Sequence, residues 1–482
     1  MKLRILALAV MAVSASGCMI GPDYFRPGID APEAYRFEPG QTAQTADSEW
    51  WKQYNDPVLD QLISDSLANN WNVQIAAANV EAAAGILTRT RAPIFPQLGY
   101  AGDTGRARYT ESGDGAISPG TVNPQDLNQA GFTASWEIDL WGRIRRQSES
   151  AEANLLATEQ ARRGVILTLV SGVANSYLQL RGLDQQLEIS RKTLDVYAQS
   201  LKFFELQFQY GQTSAMTVAQ ARSQYETAAA QIPLIEQQIV QLENALSLLA
   251  GRNPGPIPRG KTLAELGAPA IPQGLPSELL ERRPDIMQAE QQLIAANAQI
   301  GAAKALYFPS ISLTGAFGGS SSELSDVFNG SAKTWNFTGS VTGPIFTAGL
   351  ISGQVAQAEA NQQAALANYQ QAIQAAFGDV SNALSAREKL LQQVASQQNK
   401  VTALRDYARL ARLQYDGGYS PYSTVLQAEQ DLFPAELTLA QTTADNAAAL
   451  SNIYKAMGGG WVDKASALTL PAAPPQAAAT SH

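Results

Sequence analysis

The stretch FTASWEIDLWGRIRRQSESAEANL, residues 132–155, changes its periodicity halfway, and that change decides the fold. Phe132, Ala134, Trp136, Ile138 and Leu140 alternate with Thr133, Ser135, Glu137 and Asp139, the period of two expected of a strand with one apolar face. Beyond Gly142 the alternation stops. From Arg143 to Tyr210 there is no proline, and Ile166, Val170, Val173, Tyr177, Leu180, Leu187, Leu194, Tyr197, Leu201, Phe204 and Phe208 fall mostly in steps of three and four. This spacing predicts a helix of roughly 65 residues, about 100 Å long, which exceeds a compact domain. A second helix is predicted after Gly211, with Tyr225, Ala228, Ile232, Ile235, Ile239, Leu242, Leu246 and Leu249 on one seam. A mean period of about 3.5 implies helices that supercoil against one another.

The same switch occurs again further along the chain. Residues 72–98 align without gaps on 285–311, bringing Ala76 onto Ala289, Ala82-Ala83 onto Ala295-Ala296, and Phe95-Pro96 onto Phe308-Pro309. The register then shifts once and holds, so that Gly142 meets Gly349, Gly211 meets Gly418, and Val218, Gln220 and Ala221 meet Val425, Gln427 and Ala428. In the second half Trp335, Phe337, Val341 and Ile345 alternate with Asn336, Thr338, Ser340 and Thr342. Leu366, Tyr369, Ile373, Val380, Leu384, Leu391, Val394, Val401 and Leu404 then mark its long helix. Weaker strand patterns lie at Leu98 and Tyr100, and at Ile311, Leu313 and Phe317, each set off from its partner by a polar, Gly-rich loop. The expected organisation is a first repeat over 71–250, a Pro/Gly-rich linker over 251–276, a second repeat over 277–460 and a tail over 461–482.

Composition narrows the chemistry. The 482 residues carry a formal charge of −9 and only 16% charged side chains, which speaks against a nucleic-acid surface. One histidine, His482 at the terminus, and one cysteine, Cys18, leave no Ser-His-Asp or Cys-His constellation, no zinc site and no intrachain disulfide. No enzyme activity, cofactor or metal is expected. Gly255-Pro256-Ile257-Pro258-Arg259-Gly260-Lys261-Thr262 matches the letters of a phosphate loop, but a long helix precedes it and Pro256 and Pro258 remove two backbone donors. Metal export is not suggested either, since past the signal only Met19, Met216, Met287 and Met457 could offer thioether ligands, and they are scattered.

Lys2 and Arg4, the apolar run Ile5 to Val13, and Ala15-Ser16-Gly17 form a secretory signal over 1–17. Small residues directly before Cys18 resemble a bacterial lipobox, which implies an acylated Cys18 as the mature N-terminus and a lipid-anchored segment over 18–70. An ordinary signal peptide with an incidental cysteine is the alternative. No later segment is apolar for long enough to span a bilayer as a helix, so a membrane-spanning form must be a closed barrel. Four strand patterns cannot close one, for which about eight strands are needed, so the barrel must be shared between chains.

Several motifs stand out along the chain: Gly21-Pro22-Asp23-Tyr24 and Pro27 after Cys18, Trp50-Trp51 with Asp56-Pro57, the run Leu279-Leu280-Glu281-Arg282-Arg283-Pro284-Asp285-Ile286, Phe308-Pro309, and Gly418 before Val425-Leu426-Gln427-Ala428. Together they resemble the TolC-like outer-membrane factor family, in its lipoprotein branch serving resistance-nodulation-division (RND) pumps. The resemblance covers nearly the whole chain. It implies a mainly α fold with a membrane β-barrel: a homotrimer whose 12-strand barrel lies in the outer-membrane lipid, continued by a long α-helical periplasmic tunnel. Its implied partners are a periplasmic adaptor and an inner-membrane RND pump, and Met19 after Cys18, in place of Asp, implies the outer membrane. The implied function is a passive exit duct. A type I secretion duct and a structural coiled-coil lipoprotein or adhesin are the alternatives.

Local signals place the far ends of the long helices. Tyr210-Gly211 and Gly417-Gly418 read as helix C-terminal signals, Ser420-Pro421 as an N-cap followed by proline, and Arg283-Pro284-Asp285 as a helix start. Gly211, Gln212, Thr213, Gly417, Gly418 and Ser420 are therefore the tip residues expected to meet an adaptor. The family narrows at these tips with a tyrosine near the turn, matched by Tyr415, and with carboxylates further on. Here Gln427 and Thr424 stand where many relatives are acidic, so Asp416, Glu429 and Asp431 are the candidates for substitute acidic rings or, equally, solvated surface charges.

Overall fold

The structure, a computed structural model, describes residues 19–29, 32, 37, 48–272, 276–458, 461–467 and 469. The signal peptide, Cys18 and most of the 461–482 tail lie outside the described residues. A short 3-10 turn at Trp50–Tyr54 leads into α1 (Pro57–Asn69), α2 (Trp71–Arg91), β1 (Gln97–Ala107), β2 (Gln125–Ile138), α3 (Arg143–Gln209) and α4 (Ala215–Leu249). There follow α5 (Leu279–Arg282), α6 (Pro284–Ala305), β3 (Ser310–Ser321), β4 (Lys333–Thr342), α7 (Leu350–Asp416), α8 (Tyr422–Met457) and α9 (Trp461–Ala467). Helix, two strands, long helix, helix thus occurs twice, and α3 and α7 are each 67 residues long. Leu140 and Ile345 fall just beyond their strands. The Asp139 carboxylate already accepts from the amides of Ile144 and Arg145 to start α3, and Pro344 interrupts the second alternation.

Two compact units emerge. One comprises Met1–Gly28, Asn79–Thr158 and Ala289–Tyr369, and its centre is a four-stranded antiparallel sheet in the order β1-β2-β3-β4. The middle pair joins the two repeats, with Asn128 opposite Ser321 and Ile138 opposite Ile311. Because partners across a ladder share a face, Tyr100, Phe132, Phe317 and Trp335 form one aromatic row, and Leu98, Ala134, Gly315 and Phe337 the next. The opposite face reads Gly99, Thr133, Ala316, Asn336 and then Gln97, Ser135, Thr314, Thr338. Apart from its loop end, where Val327 lies over Gly319, the apolar face is uncovered within the chain: Tyr100 is 88% exposed and Trp335 70%. Among the described residues β1 and β4 each pair along one edge only.

An N-terminal strap is tied to the same unit. Gly21 lies against Gly301 so closely that a Cβ on Gly301 would come within 2.5 Å of the Ile20 carbonyl oxygen. Ile20 donates its amide to Trp141 O, the buried Arg146 reaches Asp23 at 2.7 Å, and Asn297 donates to Pro22 O. Tyr24 and Arg26 both bond to Glu290, at 3.1 and 2.6 Å. The Gly-Pro-Asp-Tyr motif thereby acquires a packing role, fastening residues 20–26 onto α6 and the start of α3.

The other unit comprises Ile29–Ala78, Glu159–Gln288 and Gln370–His482. Its core gathers Trp50, Trp51 and Tyr54 with Ile166, Val170 and Tyr177 of α3, Leu246 of α4, Tyr454 of α8 and Trp461. Trp50 stacks on Tyr454 at 5.1 Å, and Trp461 meets both tryptophans edge-on. Asp56 is fully buried yet satisfied, capping α1 at Val58 N and accepting from Tyr177 Oη at 2.7 Å and Lys261 N at 3.0 Å. Arg283 pairs with Asp285 and Asp379 and donates to Ala456 O. Along α7, Val380 and Leu384 are buried, but Leu391 from the same heptad seam is half exposed.

Candidate functional site

The letters of the phosphate loop fall in an irregular segment whose donors are already engaged. Gly260 N donates to Tyr177 Oη, Lys261 N to Asp56 and Ile257 N to Glu243, while Arg259 is held by Asp184 and Glu243. A segment ringed by three carboxylates repels phosphate. Among the described residues no cluster of His, Cys, Asp and Glu is arranged to hold a metal, and no helix is long and apolar enough to cross a membrane.

The helix tips are built from two equivalent turns. Gly211 has φ +72° and Gly418 φ +75°, left-handed values that favour glycine. Gln212 N–H donates back to Gln207 O, and Tyr419 N–H to Gln414 O, both at 2.8 Å, closing the last helical turn in the same way. The helices that return differ. Ser214 caps α4 by accepting from Thr217 N, whereas Pro421 occupies the N-cap of α8 and Ser420 Oγ is buried without a partner. The expected Ser420 cap is therefore corrected: with proline in the cap position, the hydroxyl one residue earlier sits too far back to reach the first amides of α8.

Beneath the second turn lies a packed aromatic group. The Phe204 ring of α3 is 4.1 Å from that of Tyr422 and 6.3 Å from that of Tyr415, and Tyr415 is 5.4 Å from Tyr422. Ala221, Ala411, Val425, Leu426 and Ala428 complete the cluster, which draws on all four long helices. Of the three rings, the sequence marks Tyr415 as a gate candidate through the family resemblance and Phe204 as a heptad position, and gives no signal for Tyr422.

The acidic candidates separate into two environments. Asp416 pairs with Arg412 at 3.3 Å, and Gln427 donates to both carboxylate oxygens of Asp431 at 3.1 Å; both aspartates are exposed. Glu429 is different. Its Oε2 is buried with no hydrogen-bond partner, while Tyr197 Oη donates to its backbone carbonyl at 3.2 Å. Burial pushes the Glu429 carboxyl up to about 7, against the opposing pull of Arg412. The Tyr422 hydroxyl is pushed up to about 12, first by burial and then by Glu429. At the outermost points Gly211, Gln212, Gly417 and Gly418 are exposed, Thr213 and Ser420 half-buried, and Tyr210 and Tyr419, which no sequence signal marked as contact residues, stand 74% and 89% exposed.

Comparison with known proteins agrees over most of the chain. The family described as outer membrane efflux protein matches residues 62–252 and 275–459. The cation efflux system protein CusC of Escherichia coli O6:H1 is 36% identical over 457 residues, covering 94% of this chain and 97% of that protein. The solvent efflux pump outer membrane protein SrpC of Pseudomonas putida is 37% identical over 456 residues, covering 92% and 96%. Among solved structures, CusC matches with a TM-score of 0.82 at 35% identity, covering 92% of this chain and all of that one. The open state of the MtrE outer membrane channel of Neisseria gonorrhoeae matches with 0.83 at 31%, covering 92% and 99%.

Proposed function

Because the chain belongs to the outer membrane efflux protein family, we propose that it is the outer-membrane exit duct of an RND-type tripartite efflux system, passively conducting small molecules to the exterior. One observation carries this reading: a four-stranded sheet with an uncovered apolar face, a polar opposite face and two open edges. Lipid on the apolar side and water on the polar side satisfy both faces, and three copies joined edge to edge make a closed barrel of twelve strands. The half-exposed Leu391 seam of α7 supports the same assembly, since helices from neighbouring copies would cover it in a periplasmic tunnel.

Anchoring and docking follow from the same reading. Ile20 is bonded to Trp141, three residues after the end of β2, which ties the chain that follows the anchor cysteine to the end of the sheet assigned here to the barrel's periplasmic rim. A lipid on Cys18 would enter the inner leaflet there. We assign adaptor contact to the tip residues Gly211, Gln212, Thr213, Gly417, Gly418 and Ser420, and the closed gate to Tyr415 with Asp416, Gln427, Glu429 and Asp431. Residues 71–250 and 277–460 serve as the two repeats of the duct. The relatives' names span cations and solvents, so cargo choice is ascribed to the pump.

Planar-bilayer recording of the purified protein tests the function, with fatty-acid labelling of the same preparation testing the anchor. Discrete channel currents, and labelling lost in Cys18→Ser, are expected. A folded protein that never conducts would overturn the duct, and undiminished labelling would overturn the anchor.

A further inference from the structure

At its loop end the apolar face of the sheet is hollow. Gly102, Ala130 and Gly319 form one cross-strand row with Lys333, so three of four positions offer almost no side chain, while the adjacent row is the aromatic one. The loop 322–332 folds back over this floor: a Cβ on Gly319 would lie 1.8 Å from the Val327 carbonyl oxygen, and Val327 is buried. The result is a groove of about 640 Å³ walled by Tyr100, Phe132, Phe317 and Phe328. Lys333 stands at its rim with Nζ 5.8 Å from the Phe317 ring centre, and among the described residues no carboxylate pairs with it.

We propose that this groove holds one acyl chain of an outer-leaflet lipid whose phosphate is bound by Lys333. The inference rests on the membrane reading above, which places the apolar face in hydrocarbon and the loop end of the sheet at the outer surface. A glycine floor and aromatic walls accept a flexible apolar tail and offer it no hydrogen bonds. An unpaired ammonium on a lipid-facing surface is costly unless it reaches an anion at head-group depth, and a phosphate supplies several acceptor oxygens there. A second copy of the chain is not the occupant, because copies meet at the β1 and β4 edges while the groove runs across the face between them.

Native mass spectrometry of the full-length protein in detergent tests this, with monophosphoryl lipid A and its dephosphorylated form as probes. The phosphorylated probe should be retained at one per chain and preferred roughly fivefold over the other, the worth of a single lysine facing an anionic lipid. Lys333→Gln should abolish the preference and Lys333→Arg keep it. Gly102→Leu should remove retention of both probes by filling the floor; its Cβ would meet nothing nearer than Gln129 O at 3.7 Å, so the backbone accepts it. If that variant does not assemble, Lys333→Gln decides alone. Equal retention of the two probes, or a preference that survives Lys333→Gln, overturns the proposal while leaving a conducting barrel intact. A wild-type protein that forms no conducting barrel overturns the membrane reading, and this inference with it.

Discussion

At the α3–α4 tip Glu205 and Arg222 face each other across the hairpin at 2.8 Å, both largely exposed. At the α7–α8 tip the same repeat positions hold Arg412 and Glu429, with the signs exchanged and no bond between them: Arg412 turns to Asp416, and the half-buried Glu429 keeps one buried, unpartnered oxygen. The first turn has a side-chain cap and the second does not. A duplicated hairpin has thus kept its backbone turn and diverged in how it is held. The first end is stitched by contacts that water can replace at little cost. The second is held by an aromatic cluster with a carboxyl that burial pushes up, and on the gate assignment proposed above it is the end expected to switch between packed and loosened states with a small free-energy input.

The largest effect is expected from Tyr422→Ala. Removing the ring that touches both Phe204 and Tyr415 should destabilise the packed tip by about 3–5 kcal/mol, the usual cost of deleting a buried aromatic. Single-channel conductance and vancomycin sensitivity of cells carrying the variant should both rise. Phe208→Ala, at the repeat position of Tyr415, should do neither, because Phe208 is half exposed. Equal leakage from the two variants would mean that the tips do not differ in the way described.

A smaller effect should follow pH through Glu429. Its carboxyl titrates near 7 in the packed tip and near 4.5 when freed into solvent, so the packed state holds the proton more tightly. The packed tip is therefore fully stable below about pH 4.5 and loses stability as pH rises toward 7, with the loss complete above that. Allowing for partial screening, the loss is on the order of 1–3 kcal/mol. Residual conductance should climb between pH 5 and pH 8, and Glu429→Gln should flatten that climb at the low value. A Gln variant that keeps the wild-type pH profile removes Glu429 as the origin of the climb.

Much of this molecule is legible in its sequence because its elements are long. Alternation at Phe132–Ile138 followed by heptads from Arg143 identifies strand and helix without tertiary information, and Gly211 and Gly418 mark turns whose φ values favour glycine. What escapes is whatever depends on partners far along the chain. Glu429 lies in Gln427-Ala428-Glu429-Gln430-Asp431 and reads equally as a member of an acidic ring or as a solvated charge, yet its Oε2 is buried, and Tyr197, 232 residues earlier, donates to its backbone carbonyl. Asp56 and Arg283 likewise show their motifs but not their partners, Tyr177 and Asp379. The phosphate-loop letters mislead for the same reason, since only the packed structure places Asp56, Asp184 and Glu243 against them.

The smallest effect should come from Arg222→Gln, and it bears most directly on the contrast between the tips. The Glu205–Arg222 pair is geometrically good but has 41% and 61% of its side-chain surfaces in water. Each charge regains hydration when the pair is lost, so the expected cost is below about 1 kcal/mol. Conductance at pH 7 should stay at the wild-type level, and so should its pH dependence, because neither member of the pair is buried. Raising the salt concentration should not move the wild-type closed state appreciably through this pair, since screening weakens an interaction that contributes little. If Arg222→Gln instead opens the duct as widely as Tyr422→Ala, then the first hairpin also bears on the closed state. Glu205 and Arg222 would have to meet a neighbouring copy, and the gate would belong to both repeats rather than to the second.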